Sequence, residues 1–383
     1  MHVDQLSLRD FRSYLAADVD LAAGVSTFVG PNGQGKTNLV EAVDYVATLG
    51  SHRVATDTPL VRVGADRAVL RTRVVRAGRS ALAEIEITAK GANRARLNRA
   101  PLTRVRDLLG LLRTVLFSPE DLALVKGDPS ERRLFLDRLL VARAPRLAGV
   151  RADYDRVLRQ RNALLRSAAG GRRSSTAGAL HTLESWDEQL ARTGAELLAE
   201  RLQLLQALQP LVARRHAEVA ASAAPGRSAA TMAYVSGVEL PTTSPGQLVD
   251  RDALRAALIE AVQQRRREEL DRGVSVVGPH RDEVQLGLGD LPARGYASHG
   301  ESWSLALSLR LASFDLLRSD GDDPVLVLDD VFAELDQDRR HHLAKSVAEA
   351  EQVLVTAAVA ADVPESLEGV RFDVMEGAVR RAG

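Results

Sequence analysis

The sequence predicts an α/β fold: a head built on parallel strands, an antiparallel β lobe beside it, and an inserted α-helical lobe. Three observations carry this. Val25-Ser-Thr-Phe-Val29 is a short apolar, β-rich run that feeds the glycine loop Gly30-Pro-Asn-Gly-Gln-Gly-Lys-Thr37. Behind the loop, Asn38 to Val46 has helical spacing, with Leu39, Val43 and Val46 on one side. Pro324-Val-Leu-Val-Leu-Asp329-Asp330 is a second buried-strand pattern, ending in paired carboxylates, and between the two the texture turns helical.

In chain order, residues 3 to 30 alternate and turn like strands: Val3, Leu6 and Leu8, then Val19 and Leu21, then Val25 to Val29. Residues 68 to 99 continue this. Ala83, Ile85 and Ile87 alternate with Glu84, Glu86 and Thr88, and Lys90-Gly-Ala-Asn93 is a hairpin turn into Arg94 to Asn98. From about Leu102 to Arg267 the spacing is helical. Asp128 to Val141 places Leu134, Leu136, Leu139 and Leu140 at helical intervals, with Pro129 near its start. Ala152 to Leu165 and Leu180 to Val219 continue, separated by a loop at Ala168 to Gly178. Ala221 to Gln247, holding Pro225, Pro241 and Pro245, breaks the series before Leu248 to Leu270 resumes it. Heptads are not sustained, so a long coiled-coil arm is not expected. After Gly273 the head returns with Gly278-Pro-His-Arg-Asp282, the acidic strand, and Glu351-Gln-Val-Leu-Val-Thr356 as a last core strand. The expected division is a head of residues 1–101 and 268–383 and a helical lobe of residues 102–267. No internal repeat is visible.

The 383-residue chain has a formal net charge of +0, so overall charge favours no anionic partner. Its distribution is more telling. Between Arg71 and Arg113 there are eleven basic residues against Glu84, Glu86 and Asp107, a local excess of eight positive charges. Such a patch suits DNA phosphates, with Arg94, Arg96, Arg99 and Arg104 as candidate contacts. A bias toward Arg on solvated faces would give the same count. The absence of cysteine excludes disulfides and thiolate chemistry. No apolar run approaches a membrane span, and the N-terminus carries charges throughout with no apolar h-region, so a cytosolic protein is expected.

Gly30 to Thr37 is a full match to the phosphate-binding pattern G-x-x-x-x-G-K-[ST]. In that pattern the backbone of Gly30, Pro31, Asn32, Gly33, Gln34 and Gly35 cradles phosphates at a helix N-terminus. Lys36 neutralises the β- and γ-phosphates of ATP, and the Thr37 hydroxyl holds Mg²⁺. Asp329 is the expected second Mg²⁺ group. Asp330, with Lys36 a catalytic candidate, is placed to orient or deprotonate an attacking water. Ala333-Glu-Leu-Asp336 looks like the D-loop of ABC-class ATPases. Ser298-His-Gly300-Glu301 before an apolar helix is close to their signature, which acts in trans on the partner's nucleotide. Alone, such a turn is more commonly a plain helix N-cap; its position a short way before the Asp329-Asp330 strand favours the signature.

With these residues in view, the chain resembles the RecF family of bacterial recombination mediators over essentially its whole length. The resemblance rests on Leu8-Arg-Asp-Phe-Arg-Ser13, the Gly30 to Ala42 block, Phe117-Ser-Pro-Glu-Asp-Leu122 and Lys126-Gly-Asp-Pro-Ser-Glu-Arg-Arg133 with Phe135-Leu-Asp137. Gly278-Pro-His-Arg-Asp282 and Leu328 to Asp336 complete it. It implies an ABC-type P-loop ATPase head and an ATP-dependent homodimer that binds duplex, gapped or junction DNA and single strands. It further implies action with RecR and RecO to load RecA, in DNA damage repair, recombination, replication and the SOS response. Weak, DNA-stimulated ATP hydrolysis would release the dimer, and the protein would be cytoplasmic, nucleoid-associated on DNA damage. The chain departs from the family where Glu301, Ser302 and Trp303 replace the usual Gln-Gln-Arg. Thr356 stands where many ABC ATPases carry a switch His, leaving it as the γ-phosphate sensor candidate, and the catalytic acid is Asp330 instead of Glu.

Other nucleotide-switched assemblies share the ATP motifs. A transporter ATPase usually has the switch His, a structural-maintenance ATPase needs long heptads, and an overcoming-lysogenisation-type nuclease needs a further acidic domain. Only about fifty residues follow Asp330.

Overall fold

Apolar alternation settles the first strand, and a single irregularity explains why Val3 and Leu6 both point inward. In the computed structural model a β-bulge falls between Val3 and Gln5, resetting the alternation so that Val3, Leu6 and Leu8 are all buried; Phe11, also buried, follows Asp10 with its φ of +49°. The structure describes residues 1–170, 176–220, 227–241, 247–321 and 323–382.

The chain begins with β1 (His2–Phe11), β2 (Tyr14–Asp20), β3 (Gly24–Val29) and α1 (Lys36–Thr48). There follow β4 (Arg67–Arg76), β5 (Arg79–Thr88), β6 (Arg94–Leu97), β7 (Ala100–Pro101) and β8 (Thr114–Phe117). Helices α2 (Leu122–Lys126), α3 (Pro129–Arg143), α4 (Leu147–Gly170) and α5 (Thr176–Val219) come next. Then come β9 (Ala230–Val235), α6 (Arg251–Gln264), α7 (Arg266–Arg272), β10 (Glu283–Leu288) and β11 (Leu291–Pro292). The C-terminal part holds α8 (His299–Ser319), β12 (Val325–Asp329), α9 (Gln337–Val347), β13 (Gln352–Ala357), β14 (Val370–Met375) and β15 (Ala378–Arg381).

Two compact units result. The first comprises residues 1–125, 214–228 and 297–383, the second residues 126–213 and 229–296. The first holds two sheets. One has the order β15-β14-β3-β13-β12-β8, in which all strands but β15 run parallel. The other is the antiparallel lobe, β2-β1-β4-β5-β6-β7. The central strands of the parallel sheet read as unbroken apolar runs because both faces are covered, and β12 and β13 are buried at every position. In the antiparallel lobe Ala83, Ile85 and Ile87 face the core, as their alternation predicts. The Lys90 to Asn93 turn joins β5 to β6 with Glu86 opposite Arg94.

The boundaries differ from the expected ones at 101/102 and 267/268. Thr114 to Phe117, inside the stretch expected to be helical, pairs in parallel with β12 and so belongs to the head sheet. Gly278 to Asp282, expected in the head, lies in the second unit, because β10 behind it pairs with β9. That unit is therefore not all helix: it carries the small sheet β11-β10-β9. The Ala168 to Gly178 loop is shorter than expected, since α4 runs to Gly170 and α5 starts at Thr176. Residues 171–175 lie outside the described residues, as do residues 221–226 and 242–246 of the expected Ala221 to Gln247 break. Pro210 sits inside the 44-residue α5.

The second unit is held by buried charge as well as by apolar packing. Arg161, fully buried, donates to Asp187 (2.8 Å), Ser275 (2.6 Å) and Glu269 (2.5 Å). Arg201 makes a bidentate pair with Asp137 at 2.8 and 2.9 Å and donates to Pro279 O at 2.7 Å. Beside them the Tyr154 hydroxyl meets His280 Nδ1 at 2.6 Å, and His280 Nε2 meets Ser275 O at 3.2 Å. A neutral imidazole satisfies both contacts, and burial pushes its pKa down to about 4. An unfolded histidine takes up its proton near pH 6.5. The stability owed to the neutral ring is therefore complete above pH 6.5 and lost as pH falls from 6.5 to about 4. The urea midpoint should drop across that window, and His280→Gln should make the drop shallower. Part of the slope should remain, because burial also lowers His216 and His342.

Candidate functional site

The glycine loop, the acidic strand and the last core strand meet at the C-terminal ends of adjacent parallel strands, where α/β sheets place their ligands. In the order β3-β13-β12, Asp329 lies in register with Thr356, and Ala357 with Val29. One carboxylate joins them. Thr37 Oγ1 donates to Asp329 Oδ1 at 2.9 Å, and Thr356 Oγ1 donates to the same oxygen at 2.7 Å. Thr356 also accepts the Asp330 amide at 2.9 Å. Burial raises the Asp329 pKa, against the two hydroxyl donors that lower it.

The loop is shaped by close approaches. A Cβ on Gly30 would fall 2.1 Å from Val374 O, and Gly35 combines a φ of +102° with Tyr14 and Ser13 at 2.9 Å from its Cβ position. Neither place accepts a side chain. Lys36, 3% exposed, points its ammonium into the loop and donates to Gly30 O (2.8 Å), Pro31 O (3.2 Å) and Asn32 Oδ1 (3.4 Å). Gln34 Oε1 accepts the Glu376 amide at 2.7 Å, tying the loop to the end of β14. Pro31, Asn32 and Gly33 are exposed, and the first intrahelical bonds of α1 are those of the Asn38 and Leu39 amides to Gly35 O, which leaves the amides before them at the open helix start. Oxygen donors from Thr37 and Asp329 form the hard set that suits Mg²⁺. Asp330 is half-buried with a φ of +50°, an uncommon backbone for a residue with a side chain.

Thr356, the γ-phosphate sensor candidate, is 1% exposed, and its hydroxyl donates to Asp329 Oδ1 and accepts the Asp330 amide.

The Ser298 turn forms a reciprocal capping box: Ser298 N donates to Glu301 Oε2 at 2.8 Å and Glu301 N to Ser298 Oγ at 3.2 Å. Its hydrogen bond to Ser298 N is the main cause that lowers the Glu301 pKa. Arg339, unnoticed in the sequence, links this turn to the Asp336 turn. Its Nε donates to Ser304 at 2.9 Å, it pairs with Asp336, and Asp336 caps α9 by accepting the Arg339 amide at 2.9 Å. A Cβ on Gly300 would come 2.9 Å from the Arg339 guanidinium, so the glycine lets the arginine pass.

Arg94, Arg96, Arg99 and Arg104 are all exposed. They do not form a bare cationic face. Glu86 lies opposite Arg94 and pairs with Arg67 at 3.1 Å; Glu84 lies opposite Arg96, with Arg71 at 3.6 Å. Arg104 pairs with Asp107 at 3.1 Å. The three acids of the linear charge count thus lie among the arginines, and the local excess of eight positive charges stands.

A second unforeseen feature lies behind α1. Glu41 is fully buried and accepts from Arg12 at 2.5 and 2.8 Å and from Ser51 at 2.5 Å. Burial pushes its pKa up, but the Arg12 and Ser51 hydrogen bonds and the Arg12 and Arg53 charges outweigh it, and the net shift is downward. Glu41→Ala leaves the Arg12 guanidinium without its partner. The folded state should lose roughly 3–5 kcal/mol in urea titration, with Glu41→Gln intermediate because its amide oxygen still accepts.

Comparison with known proteins shows the family to which the chain belongs. The family described as RecF/RecN/SMC N terminal domain matches residues 2–372. The DNA replication and repair protein RecF of Streptomyces avermitilis is 58% identical over 382 residues, covering 100% of both chains. That of Frankia alni is 60% identical over 386 residues, again with 100% of both covered. Among solved structures, the recombination mediator protein RecF-ATPrS in the RecFOR pathway superposes with a TM-score of 0.86 at 25% identity, covering 100% of this chain and 98% of that one. An SmcHead bound to the C-winged helix domain of ScpA, at 16% identity and a TM-score of 0.53 over 100% of this chain and 97% of that one, shares the fold alone. No helix among the described residues is long and apolar enough to cross a membrane. The chain belongs to the RecF family, within the wider RecF/RecN/SMC N-terminal-domain group.

Proposed function

We propose that this chain is an ATP-dependent DNA-binding protein of recombinational repair, a RecF-type mediator that uses ATP as a switch. One observation carries the reading: Thr37 of the phosphate loop and the Asp329-Asp330 pair, 292 positions apart, meet on one buried carboxylate. The relatives named DNA replication and repair protein RecF, and the solved structure named RecF-ATP, support it.

In this reading the loop from Gly30 to Gly35 and the Lys36 ammonium bind the phosphates, Lys36 exchanging loop carbonyls for phosphate oxygens. Thr37 and Asp329 would hold Mg²⁺, whose charge offsets that of the phosphates. Asp330 orients the attacking water and accepts its proton. Asp is shorter than Glu and reaches that water less well, which fits slow hydrolysis. Asp330 has a positive φ, and its amide donates to Thr356 Oγ1, which holds its backbone beside the end of β13. Dimerisation would bring Ser298, Gly300 and Glu301 of one copy to the nucleotide of the other, with Asp336 at the same junction. The dimer would bind gapped or junction DNA and act with RecR and RecO in loading RecA.

Ser298→Arg should leave ATP binding by the monomer intact and abolish ATP-dependent dimerisation, because a bulky cation occupies the tip of α8. Sedimentation with a slowly hydrolysed ATP analogue reads this out. Normal dimerisation of the variant would reduce the turn to its capping role.

DNA binding should be stimulated by ATP, insensitive to base sequence and steeply salt-dependent. Because carboxylates interleave with the arginines, reversing Arg94, Arg96, Arg99 and Arg104 together should weaken duplex binding several-fold without abolishing it. The decisive measurement is a titration on duplex, single-stranded and gapped DNA, with and without ATP, at two salt concentrations. Indifference to ATP or to salt would replace this reading with a nucleotide-switched protein-interaction module.

A further inference from the structure

After α1 the chain turns back beneath the helix and carries His52 inward. Ser51 makes the turn: its hydroxyl donates to Glu41 and accepts the amides of Arg53 (2.9 Å) and Val54 (3.2 Å). The His52 side chain is only 5% exposed, and both ring nitrogens are buried without a hydrogen-bond partner. An unpartnered buried polar group costs roughly 1–3 kcal/mol, so an apolar side chain would serve better if this position only filled space.

The ring lies between two carboxylates. Nε2 is 3.9 Å from Asp329 Oδ2, and Nδ1 is 4.0 Å from Asp44 Oδ2. Asp44 is itself fixed, since its Oδ1 accepts from Thr114 Oγ1 at 2.7 Å. On Asp329, Thr37 and Thr356 both donate to Oδ1, so Oδ2 is the oxygen that His52 addresses. The separation exceeds a hydrogen bond by about 1 Å, within reach of a small ring rotation.

We propose that His52 is a positioning residue for the acidic site: Nε2–H closes onto Asp329 Oδ2 and fixes which way that carboxylate faces, thereby setting the affinity of the site for a divalent cation. Carboxylates that hold metals are commonly oriented by such a donor behind them, and loss of the donor typically weakens the metal about 10–100-fold. The Glu41–Ser51 link connects this position to the helix that carries Thr37, so the same helix organises both sides of Asp329. The inference rests on the assignment of Asp329 to the cation.

The test uses the full chain loaded with a slowly hydrolysed ATP analogue and titrated with Mn²⁺, free Mn²⁺ being followed by electron paramagnetic resonance. His52→Ala should weaken Mn²⁺ about tenfold while nucleotide binding without metal stays unchanged. His52→Gln, which keeps an N–H donor, should recover most of the loss. Native Mn²⁺ affinity in His52→Ala overturns the proposal. So does His52→Gln behaving like His52→Ala, or an equal loss of metal-free nucleotide binding, since either marks a packing role. If His52→Ala does not fold, the native chain against His52→Gln and His52→Asn decides, and equal weakening by both amides overturns it. If the native nucleotide complex itself takes up no Mn²⁺, the Asp329 assignment fails first.

Discussion

Everything at the candidate site depends on one oxygen atom. Asp329 Oδ1 accepts hydroxyl hydrogen bonds from Thr37 and Thr356, and those three residues come from the helix after β3, from β12 and from β13. Parallel pairing brings the strand ends to the same level, because each register places one C-terminal end beside the next. The carboxylate is desolvated there, which by itself disfavours its charge. Two donors on one oxygen offset part of that penalty while leaving the second oxygen turned elsewhere. A group arranged this way is stabilised further by a cation, so binding and order at the site reinforce each other.

Around this point a second layer works through Glu41. A carboxylate with no exposure is tolerated because Arg12 supplies a bidentate partner and Ser51 a hydroxyl. The consequence is positional. Arg12 belongs to the turn between β1 and β2, and Ser51 to the return after α1, so one buried acid holds two connections against the helix of the phosphate loop. Loops held by charge in this manner keep a defined course without regular backbone pairing.

Much of this was legible in the sequence, for reasons that individual residues make clear. The strand–loop–helix unit was readable because its glycines and Lys36 occupy fixed intervals and the flanking apolar periods agree with them. The antiparallel lobe was readable from Ala83, Ile85 and Ile87, since period-two burial leaves a direct trace. Thr114 to Phe117 was not, because a four-residue strand inside a leucine-rich stretch carries no period that separates it from helix. His52, Glu41 and Arg339 were invisible for another reason. Their partners lie far along the chain or across a turn, and a lone His, Glu or Arg has no spacing that announces a buried partner. For the cationic patch the count along the chain includes Glu84 and Glu86 but not their placement, which strand pairing sets: Glu84 between Arg71 and Arg96, and Glu86 opposite Arg94.

The Ser298 turn shows how a local explanation and a functional one can share the same atoms. A capping box satisfies the first amides of α8 with Ser298 and Glu301 and fixes the helix N-terminus. Arg339 then braces that end against the Asp336 turn, and its guanidinium passes Gly300 so closely that a Cβ there would make the arginine shift. The turn is thus rigid before any partner arrives. Rigidity is what a surface acting on another copy's nucleotide requires, because a flexible tip would have to be ordered on every association. Glu301 also helps here, since its carboxylate adds a negative charge at the helix start that the isosteric, neutral amide of Gln would lack. The departure from the family pattern at this residue therefore strengthens the cap, and with it the proposed role of the turn.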